Sequence, residues 1–98
     1  MTLRVDPEKY EIRAIESVTD WRGKQVVEIG CGKGRLTVRL AGLGAFVEAS
    51  DPNSEAIAAA RASLPKRFAE RVSFTVGKAE RLCHRDRSFD TAVFAWSL

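Results

Sequence analysis

The chain has few of the residues that build covalent or metal frameworks. Its two cysteines, Cys31 and Cys83, stand far apart without CxxC spacing, and its single histidine is His84. A structural zinc site draws four ligands in paired spacings, so no metal site is expected. A reducing cytosol also disfavours a disulfide. No apolar run approaches the roughly 20 residues needed to cross a bilayer, so no membrane partner is expected. The opening Met1-Thr2-Leu3-Arg4-Val5-Asp6-Pro7 lacks the apolar centre of a signal peptide, and the expected location is cytoplasmic. No repeat or low-complexity tract is visible. At 98 residues the chain has room for one domain, 1–98, and not for two.

What is present is mostly arginine, apolar residues and glycine. The net charge is +3. Arg61, Lys66, Arg67 and Arg71 lie close together in sequence, as do Arg81, Arg85 and Arg87. A basic face of this kind could contact RNA phosphates. Interleaved acids (Glu70, Glu80 and Asp86) favour a solvated surface instead.

Helical and strand-like stretches alternate along the chain. Asp6-Pro7-Glu8 is a helix start: aspartate can cap, proline fits the first turn, and glutamate suits the positive end of the dipole. Tyr10, Ala14, Ile15 and Val18 follow at helical spacing, which predicts a helix through about Val18. Gln25 to Ile29 reads as a buried strand, and Gly30-Cys31-Gly32-Lys33-Gly34 as a glycine loop. Arg35 to Leu43 reads as a helix, Ala45 to Ser50 as a strand, and Asn53 to Leu64 as an alanine-rich helix capped by Asn53 or Ser54. Lys66 to Glu70 leads into a strand at Val72 to Val76. A polar stretch runs to Ser88, and Phe89 to Trp96 reads as the fourth strand. The expected fold is α/β, a Rossmann-like parallel sheet of about four strands between helices. Ligands bind such sheets beyond the carboxyl ends of the strands, where the glycine loop falls.

Two features of that end point to an adenosine-type cofactor. The loop lets backbone approach a ligand and leads into a helix whose first amides are free. Asp51, about 20 residues on at the end of the next strand, can accept from both ribose hydroxyls. A dinucleotide-binding oxidoreductase would share these features, but its fingerprint is GxGxxG. Here the glycines read GxGxG, with Arg35 where the third fingerprint glycine would stand. Glu28, two residues before Gly30, would repel a pyrophosphate, whereas it would favour the ammonium and sulfonium of S-adenosylmethionine.

Val27-Glu28-Ile29-Gly30-Cys31-Gly32-Lys33-Gly34 resembles the first motif, E/DxGxGxG, of class I S-adenosylmethionine-dependent methyltransferases. Glu48-Ala49-Ser50-Asp51 resembles their second-strand acid motif. Val76-Gly77-Lys78-Ala79-Glu80-Arg81-Leu82 resembles their third-strand segment, and Ser88 to Leu98 the fourth-strand motif of the type 11 branch. The resemblance runs from Val26 to Leu98. It implies that Glu28 and the backbone of Gly30, Cys31, Gly32 and Gly34 hold the methionine end of the cofactor, and that Asp51 binds its ribose. It also implies that Pro52 or Asn53 borders the adenine and that Lys78, Ala79 and Glu80 lie at the adenine edge. Family members often carry aspartate where Lys78 stands. A lysine ammonium cannot accept from the adenine amino group, which leaves a backbone contact from Ala79. The implied activity is methyl transfer, with S-adenosylhomocysteine as the product, to an acceptor the sequence does not identify, a small molecule being favoured. The alternative is a non-catalytic module or interaction subunit that holds the cofactor or its product.

Other residues have plainer readings. Cys31 has no evident base nearby, so a nucleophilic role is disfavoured. His84 lies in a polar connection, and Trp96 suits a structural role as well as a pocket lining. No catalytic residue can be named, and no Asp-Pro-Pro-Tyr follows the fourth strand. The family's sheet has seven strands, so the chain is expected to be an incomplete domain lacking the C-terminal half. Phe89 to Trp96 would then be an open apolar edge, which predicts a homodimer or a partner chain covering it.

Overall fold

The computed structural model describes residues 2–5, 15–17, 19–77 and 89–95. Five strands form one sheet: β1 (Thr2–Val5), β2 (Gln25–Ile29), β3 (Phe46–Asp51), β4 (Val72–Val76) and β5 (Thr91–Ala95). Their order is β1-β5-β2-β3-β4, and every pairing is parallel. Two helices connect the middle strands, α1 (Arg35–Gly42) and α2 (Ser54–Ser63), and a 3-10 turn covers Lys66–Phe68.

The order places a reversal at the centre of the sheet. From β2 the chain steps outward through β3 to β4, and β5 then returns to the other side of β2. Connections therefore diverge at the carboxyl end of β2, where a crevice forms in sheets of this kind. The glycine loop sits at that end.

The expected elements are present with ends displaced by a residue or two. β3 starts at Phe46, because the Ala45 amide still donates to Leu40 O at 3.1 Å and belongs to the helix exit. β5 starts at Thr91, because Asp90 joins the entry of β2. Its amide donates to Gln25 O at 2.8 Å, and its Oδ2 accepts from the Gln25 amide at 2.8 Å. Asn53 is the α2 cap, accepting from the Glu55 and Ala56 amides at 2.9 and 3.2 Å. Of the helix expected through Val18, residues 15–17 are helical, and the rest lies outside the described residues, as does the polar stretch before Ser88. β1 was not anticipated: four residues are too few for a period-two pattern to register.

β1 also corrects the expectation of an open edge at the fourth strand. It pairs along β5 from Thr2 opposite Ala92 to Val5 opposite Ala95, while β5 pairs with β2 on its other side. β5 is an interior strand, and among the described residues the sheet's edges are β1 and β4.

The core is the face that α1 and α2 cover. Leu36, Leu40 and Ala41 from α1 and Ile57 and Ala60 from α2 are buried with Val26, Val47, Ala49, Phe68, Phe74 and Val93. Trp21 is buried too and donates from Nε1 to Ile15 O at 2.7 Å, which ties the N-terminal helical turn to the core. Leu40 is fully buried at the centre of α1. Leu40→Ala is expected to lower stability by about 2–5 kcal/mol. In urea this should appear as a lower midpoint at unchanged slope.

Candidate functional site

The loop is built by backbone constraints before any side chain takes part. Gly30, Gly32 and Gly34 hold φ of 81°, 55° and 86°. The Gly30 and Cys31 amides both donate to Ser50 O, at 2.8 and 2.9 Å, which binds the loop to the end of β3. Gly34 is the α1 N-cap in the left-handed region and makes no side-chain cap. A Cβ there would lie 3.2 Å from Ala60 Cβ and 3.5 Å from the Phe74 ring. Gly34 thus lets the start of α1 pack against α2 and β4, a close approach that dinucleotide folds assign to a glycine one position later.

Asp51 fixes the second side of the loop. Its Oδ2 accepts from the Gly32 amide and its Oδ1 from the Asn53 amide, both at 2.9 Å. One carboxylate therefore spans the glycine loop and the approach to α2. Two amides use half of a carboxylate's roughly four acceptor positions, which leaves lone pairs for a ligand. Pro52, the next residue, is exposed.

Glu28 lies behind the loop. It is fully buried, between Ala49 and Val93 in the sheet register. Its Oε1 accepts from the Thr37 hydroxyl on α1, while Oε2 has no hydrogen-bond partner among the described residues. Burial, opposed in part by the Thr37 bond and aided by the nearby Asp51 charge, raises its pKa to about 7. Cys31 is buried in the loop, and burial, then Glu28 and Asp51, push its thiol up to about 12. It stays a thiol at neutral pH, in keeping with the disfavoured nucleophile reading.

The structure therefore brings together Glu28, Gly30, Cys31, Gly32, Gly34, Asp51 and Pro52. Lys78, Ala79, Glu80 and His84 lie outside the described residues. Sequence reasoning missed Thr37 and Ser50. Thr37 left a signal, being a hydroxyl on the otherwise apolar face of α1 beside Leu36 and Leu40. Ser50 acts through its carbonyl, which no side-chain pattern reveals. Two carboxylates and no basic partner for either, among the described residues, make this end suited to a ligand that carries positive charge and hydroxyls. No group of three or more potential metal ligands is found among the described residues. No helix among them is long and apolar enough to span a membrane.

Residues 26–98 match the family model described as "Methyltransferase domain". An uncharacterized methyltransferase of Mycobacterium tuberculosis H37Rv is 34% identical over 86 residues, covering 88% of this chain and 33% of the relative. The chain thus spans about a third of the length of the curated relatives it matches. Among solved structures, an S-adenosylmethionine-dependent methyltransferase from Mesorhizobium loti superposes with a TM-score of 0.73 at 25% identity, covering 88% of this chain and 37% of that one. A magnesium protoporphyrin IX methyltransferase from Synechocystis PCC 6803, with bound S-adenosylmethionine, gives 0.64 at 25% identity, covering 85% and 38%.

The buried carboxyl has a measurable consequence. Its folded pKa lies above the value of 4.5 that it has when exposed, so the folded state holds a proton that the unfolded state releases. This group's contribution to stability is full below about pH 4.5 and is lost as pH rises through about 7. Glu28→Gln keeps the shape and an acceptor for Thr37 without the titration. Thermal melts should show the variant gaining on the wild-type chain from pH 5 to pH 8. Equal pH slopes for the two proteins would contradict the assignment.

Proposed function

The chain belongs to the class I S-adenosylmethionine-dependent methyltransferases, and from that premise we propose that the glycine-loop end of the sheet holds this cofactor for methyl transfer to an acceptor. The observation that carries the reading is the unpaired acidity of the site. Among the described residues, a buried Glu28 with one unpartnered oxygen and an Asp51 bonded to two amides stand beneath and beside a loop of left-handed glycines. The same geometry would repel a dinucleotide's pyrophosphate.

When bound, the cofactor supplies an electrophilic methyl group on a sulfonium and leaves as S-adenosylhomocysteine. The chain's own residues bind and orient. In this reading Asp51 directs its remaining lone pairs to the two ribose hydroxyls, and the glycine loop turns beneath the methionine portion without side-chain obstruction. Glu28 places negative potential behind the loop, on the side where the ammonium and sulfonium lie. The fall of dielectric on burial strengthens that attraction. Pro52 and Asn53 border the adenine, with Lys78, Ala79 and Glu80 along its edge. A small-molecule acceptor is the favoured substrate class, positioned in line with the sulfonium by residues beyond this chain's portion of the domain. Holding cofactor without turnover is the competing reading. Turnover by the isolated chain would oppose it.

Calorimetric titration with S-adenosylhomocysteine tests the site. The chain should bind, and Asp51→Ala should weaken binding by about tenfold or more, the scale for losing hydrogen bonds to a charged group. A folded chain that binds neither cofactor nor product would overturn the proposal.

A further inference from the structure

A second concave site shares Gly34 with the glycine loop, but its lining includes neither Glu28 nor Asp51. It is a groove of about 550 Å³ between α1 and the Ser63–Phe68 segment. That volume is in the range of small-molecule sites. Lys33, Arg35, Arg39 and Arg67 line it, and no acidic residue is in its lining among the described residues. Val38, Leu43 and Phe68 give it an apolar floor.

The placement of these cations is costly for the fold alone. Lys33 and Arg35 flank the N-terminus of α1, the positive end of its dipole, where acids stabilise and cations do not. The first turn of α1 contains no acid. Arg35 and Arg39 stand four residues apart on one helix face, a like-charge spacing that destabilises a helix. The compensation is thin. Arg39 reaches Glu16 Oε1 at 3.9 Å with both side chains near half exposed, and Arg67 lies over the Phe68 ring at 4.5 Å. Lys33 and Arg35 have no ion pair among the described residues.

We propose that this groove is a binding site for a compact polyphosphate group of the kind a nucleoside triphosphate carries. Four cations line one concavity, which favours a ligand that carries several negative charges on adjacent phosphates. The uncapped amides of the first turn of α1 add to the same positive field. The site differs from the glycine-loop site in sign. One end of the loop faces Glu28 and Asp51, whereas Lys33 and Arg35 turn the other toward the groove. The proposal does not depend on the cofactor reading.

The test uses inorganic tripolyphosphate as the probe, titrated into the 98-residue chain with and without saturating S-adenosylhomocysteine. Binding should persist when S-adenosylhomocysteine is present and weaken as salt rises. Arg39→Gln and Arg67→Gln should each weaken it, and the double variant by about tenfold or more. Both residues are exposed, so melting temperature should stay near that of the wild-type chain, and S-adenosylhomocysteine affinity should not change. Absence of tripolyphosphate binding, its displacement by S-adenosylhomocysteine, or indifference to both substitutions would overturn the proposal. So would binding of a deoxythymidine decamer without tripolyphosphate binding, since that would mark a strand-tracking surface. Tripolyphosphate binding without any S-adenosylhomocysteine binding would leave this site standing and remove the cofactor reading.

Discussion

Beneath the glycine loop a carboxyl group is held out of water with one of its two oxygens unbonded among the described residues. Glu28 stands on the central strand, and Thr37 on α1 reaches one of its oxygens. Burial of such a group is unfavourable unless something compensates. Burial favours the protonated form, and the pKa of Glu28 rises to about 7. The rest of the site is arranged around it. The Gly30 and Cys31 amides are drawn away from it to Ser50 O, and the Gly32 amide goes to Asp51. No backbone donor of the described loop is bonded to Glu28.

The sheet order explains why this group sits where a ligand would meet it. β2 is flanked by β3 and β5, so its carboxyl end lies where the connections diverge. Three glycines with positive φ can turn there, and Gly34 allows α1 to start against Ala60 and Phe74. Asp51 ends the neighbouring strand and ties loop to helix. Fold and site therefore share residues. A change in Asp51 alters the loop as well as any ligand contact, and affinity has to be read beside a melting temperature.

The sequence made the central elements legible because their signals were local and periodic. Val26 and Val27 precede the glycines, Asn53 precedes an alanine run, and Pro65 follows it. Where the sequence failed, the cause lay in distant pairing. β1 is a strand because β5 offers it an edge, and nothing in Thr2–Val5 announces that partner. Missing β1 led to the expectation of an open edge at β5, and with it the basis for a chain covering that edge. Asp90 looked like strand but serves the entry of β2. In the site, Glu28 and Asp51 were legible from motif spacing. The depth of Glu28 was not, because it depends on Thr37 and on Ala49 and Val93 to either side.

Charge is divided across the loop, and the division limits what each side can hold. The carboxylates lie on the sheet side, and Lys33 and Arg35 lead into the groove on the helix side. A cation approaching Glu28 favours the ionised carboxylate and offsets its burial, so the loop end selects for positive charge. An anion there would meet Glu28, Asp51 and a thiol that does not ionise at neutral pH. The groove reverses the sign: among the described residues its lining contains four cations and no acid. The Gly30, Cys31 and Gly32 amides are already bonded to Ser50 and Asp51. The start of α1, which lacks a side-chain cap, borders the groove. A ligand uniting a sulfonium with a polyphosphate would satisfy neither side alone, so the two surfaces are suited to two different molecules.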